Sequence, residues 1–245
     1  MLIDMHFLVG TMLQLLQALP MTLLLFATSV SIGTLLAMLV VWIRVCDVAV
    51  LRQLARGYIF LFRGSPLLIQ MFLLYYGLSQ FQAVRQSLFW PVLREPVACA
   101  VIGLAMCTAG YMAEIFRGGL LTVPVQQIEA GRAIGMSRGL LAWRIIIPVA
   151  LRSCLPAYST EVILMMKATS LASLVTVYEV SGVAQRIISE TYRTMEVFLC
   201  AALIYLLLNF LIVRTLALIE WKLSPRPPAG GRPTIKRNAL STRRG

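Results

Sequence analysis

Residues 129–148 read EAGRAIGMSRGLLAWRIIIP, a polar-interrupted stretch set between long apolar runs. Pro124 suits a first helical turn, Gly135 suits a left-handed helix stop, and Pro148 opposes further helix without a kink. The pattern therefore predicts two short helices around a turn at Gly135, Met136 and Ser137. Glycine at 131 and 135 lets another chain segment or a partner's side chains come close. Glu129 adds a fixed anion among positively charged neighbours. Read from the residues alone, the stretch is a helical hairpin joining two membrane spans.

Working outward, the composition sets the class. The 245 residues are 59% hydrophobic and 13% charged, which excludes a soluble globular domain and indicates an all-α polytopic membrane protein. Five apolar runs are long enough to cross a ~30 Å hydrocarbon core, at about 19–43, 58–78, 97–116, 155–175 and 197–219. The second contains Arg63-Gly64-Ser65-Pro66, which can begin or break a helix, so a short span preceded by an interfacial segment is expected there. The first 43 residues carry Asp4 and neither lysine nor arginine, so no conventional cleaved signal peptide is expected.

The formal charge of +12 could suggest nucleic acid until its placement is examined. Four arginines follow the first span, five lie in the segment from Arg117 to Arg152, and seven basic residues lie from Trp221 onward, while the alternate segments carry only four. By the positive-inside rule this bias predicts an outside N-terminus and an inside C-terminus. Residues 1–18 are then a periplasmic segment, 19–221 the five-helix domain with its 124–148 hairpin in the cytoplasm, and 222–245 a basic, disordered cytoplasmic tail. The tail's chemistry suits anionic membrane lipid, and nucleic acid is not an expected partner.

Glu161 and Lys167 fall at membrane depth in the fourth span, where each costs ~2.5–3.5 kcal/mol if it faces lipid. Both should therefore face protein or a water-filled path, and Thr169 and Ser170 lie within a turn of Lys167. Glu114, near the end of the third span, reads as an interfacial residue. Cys46, Cys99, Cys107, Cys154 and Cys200 show no C-x-x-C spacing, and His6 is the only histidine, so neither a metal site nor a catalytic pair is expected. No glycine precedes a lysine, so the chain carries no recognisable phosphate-binding loop and no cofactor of its own is expected.

The hairpin stretch resembles the EAA loop of ABC-importer permeases. Glu129, Ala130, Gly135, Ile145 and Pro148 fall at that family's spacing, with Gly131 replacing its third small residue and Ile147 its leucine. RGSPLLIQMFLLYYGL and YSTEVILMMKATSLAS resemble further elements of the polar amino-acid branch, whose M-type subunits serve histidine, lysine-arginine-ornithine and opine (octopine, nopaline) importers. The resemblance covers about residues 10–222. It implies a type I importer fold and an ATPase-coupling role for Glu129, Ala130, Gly131, Gly135, Ile145 and Pro148. It also implies a substrate path along the fourth span. The implied partners are two ATPase subunits that bind ATP and Mg, a homologous second permease subunit and a periplasmic solute-binding protein in a bacterial inner membrane. Against it stands a self-contained channel or secondary transporter using Glu161 and Lys167 for ion coupling, which an odd span count without visible duplication disfavours.

Overall fold

In the computed structural model, residues 4–46 and 48–223 are described. Asp47 and the basic tail from Ser224 to Gly245 lie outside the described residues. Helices run in the order α1 (Met5–Gln17), α2 (Leu19–Val45), α3 (Ala49–Gly64), α4 (Leu67–Phe72), α5 (Gln82–Arg85), α6 (Trp90–Leu93) and α7 (Pro96–Leu121). They continue with α8 (Val125–Ala133), α9 (Arg138–Leu141), α10 (Ile147–Ala168), α11 (Val180–Thr191) and α12 (Thr194–Leu223). Single π-helical turns at Leu73–Gly77 and Ala142–Ile146 and a 3-10 stretch at Thr169–Val175 extend α4, α9 and α10.

Helix α7 is the centre of the packing because small residues dominate it, with Ala100, Gly103, Ala105, Ala109, Gly110 and Ala113 among its buried positions. Small side chains let helix axes approach closely in lipid, where no hydrophobic force draws helices together. A Cβ on Gly33 of α2 would sit 2.7 Å from Thr108 of α7, so contact there is backbone-close. Thr34 meets Met112 Sδ at 3.2 Å, and Arg44 pairs with Glu114. Residue numbers rise together along this seam, so α2 and α7 are parallel. Helix α10 runs the other way, since Ala150 lies against Gly119 while Val162 packs with Ala109 and Met112.

Two parallel helices need an odd number of crossings between them. That crossing is the pair formed by α3 and the Leu67–Gln80 segment, which bend by 106° at Ser65–Pro66. With it, the four helical stretches long and apolar enough to span become five. The break matches the expectation from Arg63-Gly64-Ser65-Pro66, and Gln70 staples it: its buried Nε2 donates to Phe62 O at 3.0 Å and Ser65 O at 2.9 Å. Helix α12 is parallel to α1, because Asp4 pairs with Arg193 at 3.5 Å and Cys200 Sγ reaches Leu8 O at 3.9 Å. The described ends therefore lie on opposite sides of the bundle.

The structure departs from the sequence reading at four places. Residues Met5–Gln17, read as a segment ahead of the first span, form α1, whose Leu15 seats in a cluster with Val197, Cys200 and Ile204. Helix α7 runs on to Leu121, so Glu114 lies two turns inside it and is held by Arg44 and Arg117. The segment between the last two spans contains α11, packed on α1 and α12. Pro148 does not end a helix: it sits in the first turn of α10 behind the π turn, where its missing N–H is not needed.

Candidate functional site

The 124–148 hairpin has the two helices and the turn expected of it. Gly135 adopts φ +80°, its N–H donates to Arg132 O at 3.0 Å, and Met136 N–H donates to Gly131 O at 3.0 Å, closing the end of α8. Ser137 Oγ accepts from Leu140 N–H at 3.4 Å and caps α9. Gly131 is buried, and a Cβ there would lie 2.5 Å from Leu141 Cδ1 and 3.1 Å from Ile145 Cδ1. The space at Gly131 is thus filled by the hairpin's own apolar side chains. Ile145 belongs to the same plug, and Pro148 opens the helix behind it.

Outward, the hairpin presents the opposite chemistry. Glu129 and Ala130 are exposed, Ile134 is 78% exposed, and Trp143 is 74% exposed. Arg132, Arg138 and Arg144 lie exposed among them, and no ion pair holds Glu129 among the described residues. An apolar tip ringed by charge is the composition of a protein-docking surface. Its base is rigid: a Cβ on Gly119 would stand 2.8 Å from Ala150 O, and Cys154 Sγ donates to Ile115 O at 3.3 Å, which locks α7 to α10.

Of the four path candidates, the structure does not form one cluster. Glu161 is 8% exposed, next to Val162, which packs on Ala109 and Met112 of α7. Lys167 faces away from it, exposed, lining a cavity of roughly 410 Å³ with Ser170, Ser181, Phe198, Ala201 and Tyr205. Thr169 is fully buried and its hydroxyl donates to Met166 O at 2.7 Å; Ser170 Oγ donates to Lys167 O at 2.8 Å. The exposed stripe of α10 carries Ser153, Ala157, Thr160, Leu164 and Lys167, while that of α12 carries Leu199, Leu203, Leu206 and Phe210. One stripe is fit for lipid, and the other for a protein partner or a polar path.

Sequence reasoning passed over two groups. Glu179 is 0% exposed at the N-terminus of α11, where Oε1 accepts from Gly182 N–H at 2.9 Å and Oε2 accepts from Tyr205 Oη–H at 2.6 Å. Burial pushes its carboxyl above the ordinary value, with the hydrogen bonds from Tyr205 and the α11 backbone opposing. The signal was present as an acid directly ahead of an amphipathic run. The second group is Arg63, whose guanidinium lies 5.3 Å from the Tyr111 ring centroid, next to the Arg44, Glu114 and Arg117 cluster.

Residues 29–225 match the family described as binding-protein-dependent transport system inner membrane component. The octopine transport system permease protein OccM of Rhizobium meliloti is 54% identical over 230 residues, covering 94% of each chain. The nopaline transport system permease protein NocM of Agrobacterium fabrum is 45% identical, covering 93% of this chain and 96% of its own. The arginine ABC transporter permease protein ArtM of Escherichia coli is 43% identical over 175 residues, covering 71% of this chain and 78% of its own. A crystal structure of an amino acid ABC transporter superposes with TM-score 0.81 at 30% identity, covering 91% of this chain and all of that one. The family match spans the hairpin, and the chain is a member of the binding-protein-dependent transport system inner membrane component family, a non-catalytic permease subunit of an ABC transporter in the inner membrane.

Proposed function

We propose that this chain forms half of the membrane path of an ATP-driven importer for basic amino acids or opines. A homologous permease subunit supplies the other half, a periplasmic binding protein delivers substrate, and two ATPase subunits holding ATP and Mg drive the cycle. In this reading residues 1–18 begin outside, the hairpin and the 222–245 tail lie inside, and residues 19–221 are the path-forming domain. The sixteen-to-four distribution of basic residues supports that orientation.

The hairpin carries the reading: a closed turn with a protruding Ile134, on a base that ties α7 to α10. Ile134 inserts into a groove on the ATPase, Glu129 and Ala130 line the contact, and Gly131, Ile145, Gly135 and Pro148 hold its shape. Along α10, Glu161 meets the cationic end of the substrate, while Lys167 with Ser170 faces the second subunit, and Thr169 supports the helix from its buried side. The self-contained transporter reading loses its basis, since the relatives are ABC permeases and Glu161 and Lys167 face different sides of α10.

The test is Glu161→Gln, which removes charge while keeping shape and hydrogen bonding. ATP-driven uptake of arginine into proteoliposomes should fall about tenfold or more, and uptake of a neutral amino acid that the same complex carries should change little. Equal losses, or none, in an assembled complex would remove Glu161 from the path. Absence of a co-purifying ATPase would remove the importer reading itself.

A further inference from the structure

Helix α3 carries two exposed stripes of opposite chemistry. Val50, Leu54 and Leu61 recur at helical spacing as an exposed apolar line, and Arg56, Phe60 and Arg63 recur as a second exposed line on the neighbouring flank. The remaining side is taken up by packing. Ile59 seats with Ala37, Val41, Ala109 and Met112, and Tyr58 Oη donates to Met106 O at 2.6 Å, which fixes α3 against α2 and α7. The arginine stripe borders a cavity of roughly 420 Å³, which Arg44, Tyr111 and Glu114 close from the other side. Its charges do not cancel. Glu114 is the single acid of the lining and is shared between Arg44 and Arg117, and Arg56 and Arg63 have no carboxylate partner among the described residues. The Arg63 guanidinium is placed by the Tyr111 ring, 5.3 Å from its centroid.

The cavity lies where α2 leaves the hydrocarbon. Arg44 is the first basic residue of the chain and next to last in α2, and its pair with Glu114 brings that residue of α7 to the same height. Tyr111 is three residues nearer the bilayer centre, ~4.5 Å along the helix, within the ~5–10 Å to which an interfacial helix sinks its apolar face. The axis of α3 turns 106° from that of the crossing segment Leu67–Gln80, so α3 runs closer to the membrane plane than to its normal. An apolar stripe, an aromatic residue and a basic stripe on one helix at this height match a phospholipid, which offers acyl chains to the first and phosphate to the last. A soluble anion would satisfy the arginines and leave the apolar stripe without a partner.

We propose that this cavity binds the headgroup of an anionic phospholipid, with Arg56 and Arg63 as the phosphate-recognising pair and Leu54, Phe60 and Leu61 against its acyl chains. Glu114 already occupies Arg44, so two guanidinium groups remain for the lipid. Each offers a phosphate two parallel N–H donors, which fixes the position of the headgroup as well as its charge. A zwitterionic lipid brings its own cation among these arginines, so a net-negative headgroup is preferred. The orientation proposed above decides only that the leaflet is the cytoplasmic one. Because Arg63 rests on Tyr111 and Arg44 on Glu114, a lipid seated here bears on α2, α3 and α7 together.

The experiment titrates the complete complex in neutral detergent with a fluorescent phosphatidylglycerol, for wild type, Arg56→Gln, Arg63→Gln and Arg186→Gln. Arg186 is an exposed arginine of α11 outside the cavity lining. The basic tail is present in every sample, so differences between variants report the cavity. Arg56 is exposed, and its replacement leaves the contact between Arg63 and Tyr111 in place. Gel filtration follows whether each variant keeps its permease pair. The expected result is saturable binding to wild type, a Kd raised about tenfold or more in Arg56→Gln and Arg63→Gln, and a change of about twofold or less in Arg186→Gln. Unlabelled phosphatidylglycerol should displace the probe, and phosphatidylcholine and inorganic phosphate should not. An unchanged Kd in Arg56→Gln overturns the inference, as does an equal rise in Arg186→Gln, which reports general charge attraction. Displacement by inorganic phosphate as effective as by phosphatidylglycerol makes the cavity a soluble-anion site and overturns it too. Loss of the permease pair in Arg56→Gln overturns it by assigning the surface to the second subunit.

Discussion

Replacing Gly135 separates backbone conformation from packing at the hairpin. Its φ of +80° is a conformation that side chains with a β-carbon pay to enter, yet a Cβ there would meet nothing within 4 Å. Any cost of Gly135→Val is therefore conformational, about 1–2 kcal/mol, which reduces the population of correctly closed hairpins about five- to thirtyfold. Asparagine enters the same region readily, so Gly135→Asn should keep most of the function. Gly131→Val has the opposite origin, because its side chain would crowd Leu141 and Ile145, with Leu141 Cδ1 only 2.5 Å from the new Cβ. The assay is ATP-driven substrate uptake by proteoliposomes at equal permease content, with ATP hydrolysis recorded in parallel. Gly135→Val and Gly131→Val should lower uptake and uncouple it from hydrolysis, with Gly135→Asn close to wild type. If Gly135→Asn were as impaired as Gly135→Val, the left-handed turn would not be the cause and the reasoning would fail.

Glu179 offers a stability test with a pH sign. Its folded carboxyl holds a proton more tightly than the unfolded chain does, so its contribution is greatest at low pH and falls as pH rises through the ordinary carboxylate range into the raised folded value. Glu179→Gln should therefore gain in unfolding temperature relative to wild type between pH 5 and pH 7.5, whereas Glu179→Leu should lose ~1–3 kcal/mol for each of the two donors it strands. A parallel pH response in wild type and Glu179→Gln would exclude the effect. For orientation, a reporter active only in the cytoplasm should work after Gly245 and stay silent after Ser87, and the reverse pattern would invert the topology.

The spans were legible because one property, continuous apolarity, decides membrane insertion, and it can be summed along the chain. The turn at Gly135 and the break at Ser65–Pro66 were legible for another reason: glycine and proline act through their own backbone geometry, whatever surrounds them. Glu179 was not legible in this way. An acid in a polar segment looks exposed until Tyr205, 26 residues later, and the backbone of α11 close over it. The same holds for Glu161 and Lys167. Their spacing of six residues sets them about 120° apart around a helix, but only the positions of α7 and α12 determine what each one faces. The helix at Met5–Gln17 was missed because Gln14 and Gln17 interrupt its apolar pattern, and both line a polar cavity beside α11.

Coupling between the hairpin and the path follows from where rigidity lies. The hairpin is inserted between α7 and α10, and at its base these helices touch through backbone at Gly119 and Ala150, too close for either to slide without the other. Eight and five residues back along α7 from Gly119, Tyr111 and Glu114 carry the contacts to Arg63 and Arg44, and eleven residues along α10 from Ala150 stands Glu161. A displacement of the hairpin is therefore delivered at its base to α7 and α10 together. At the 106° bend between α3 and α4, Gln70 bonds the carbonyls left open by the break and holds its shape. Arg63, just ahead of that bend, lies against Tyr111, and Arg44 pairs with Glu114, so motion of α7 reaches both α3 and α2 through these contacts.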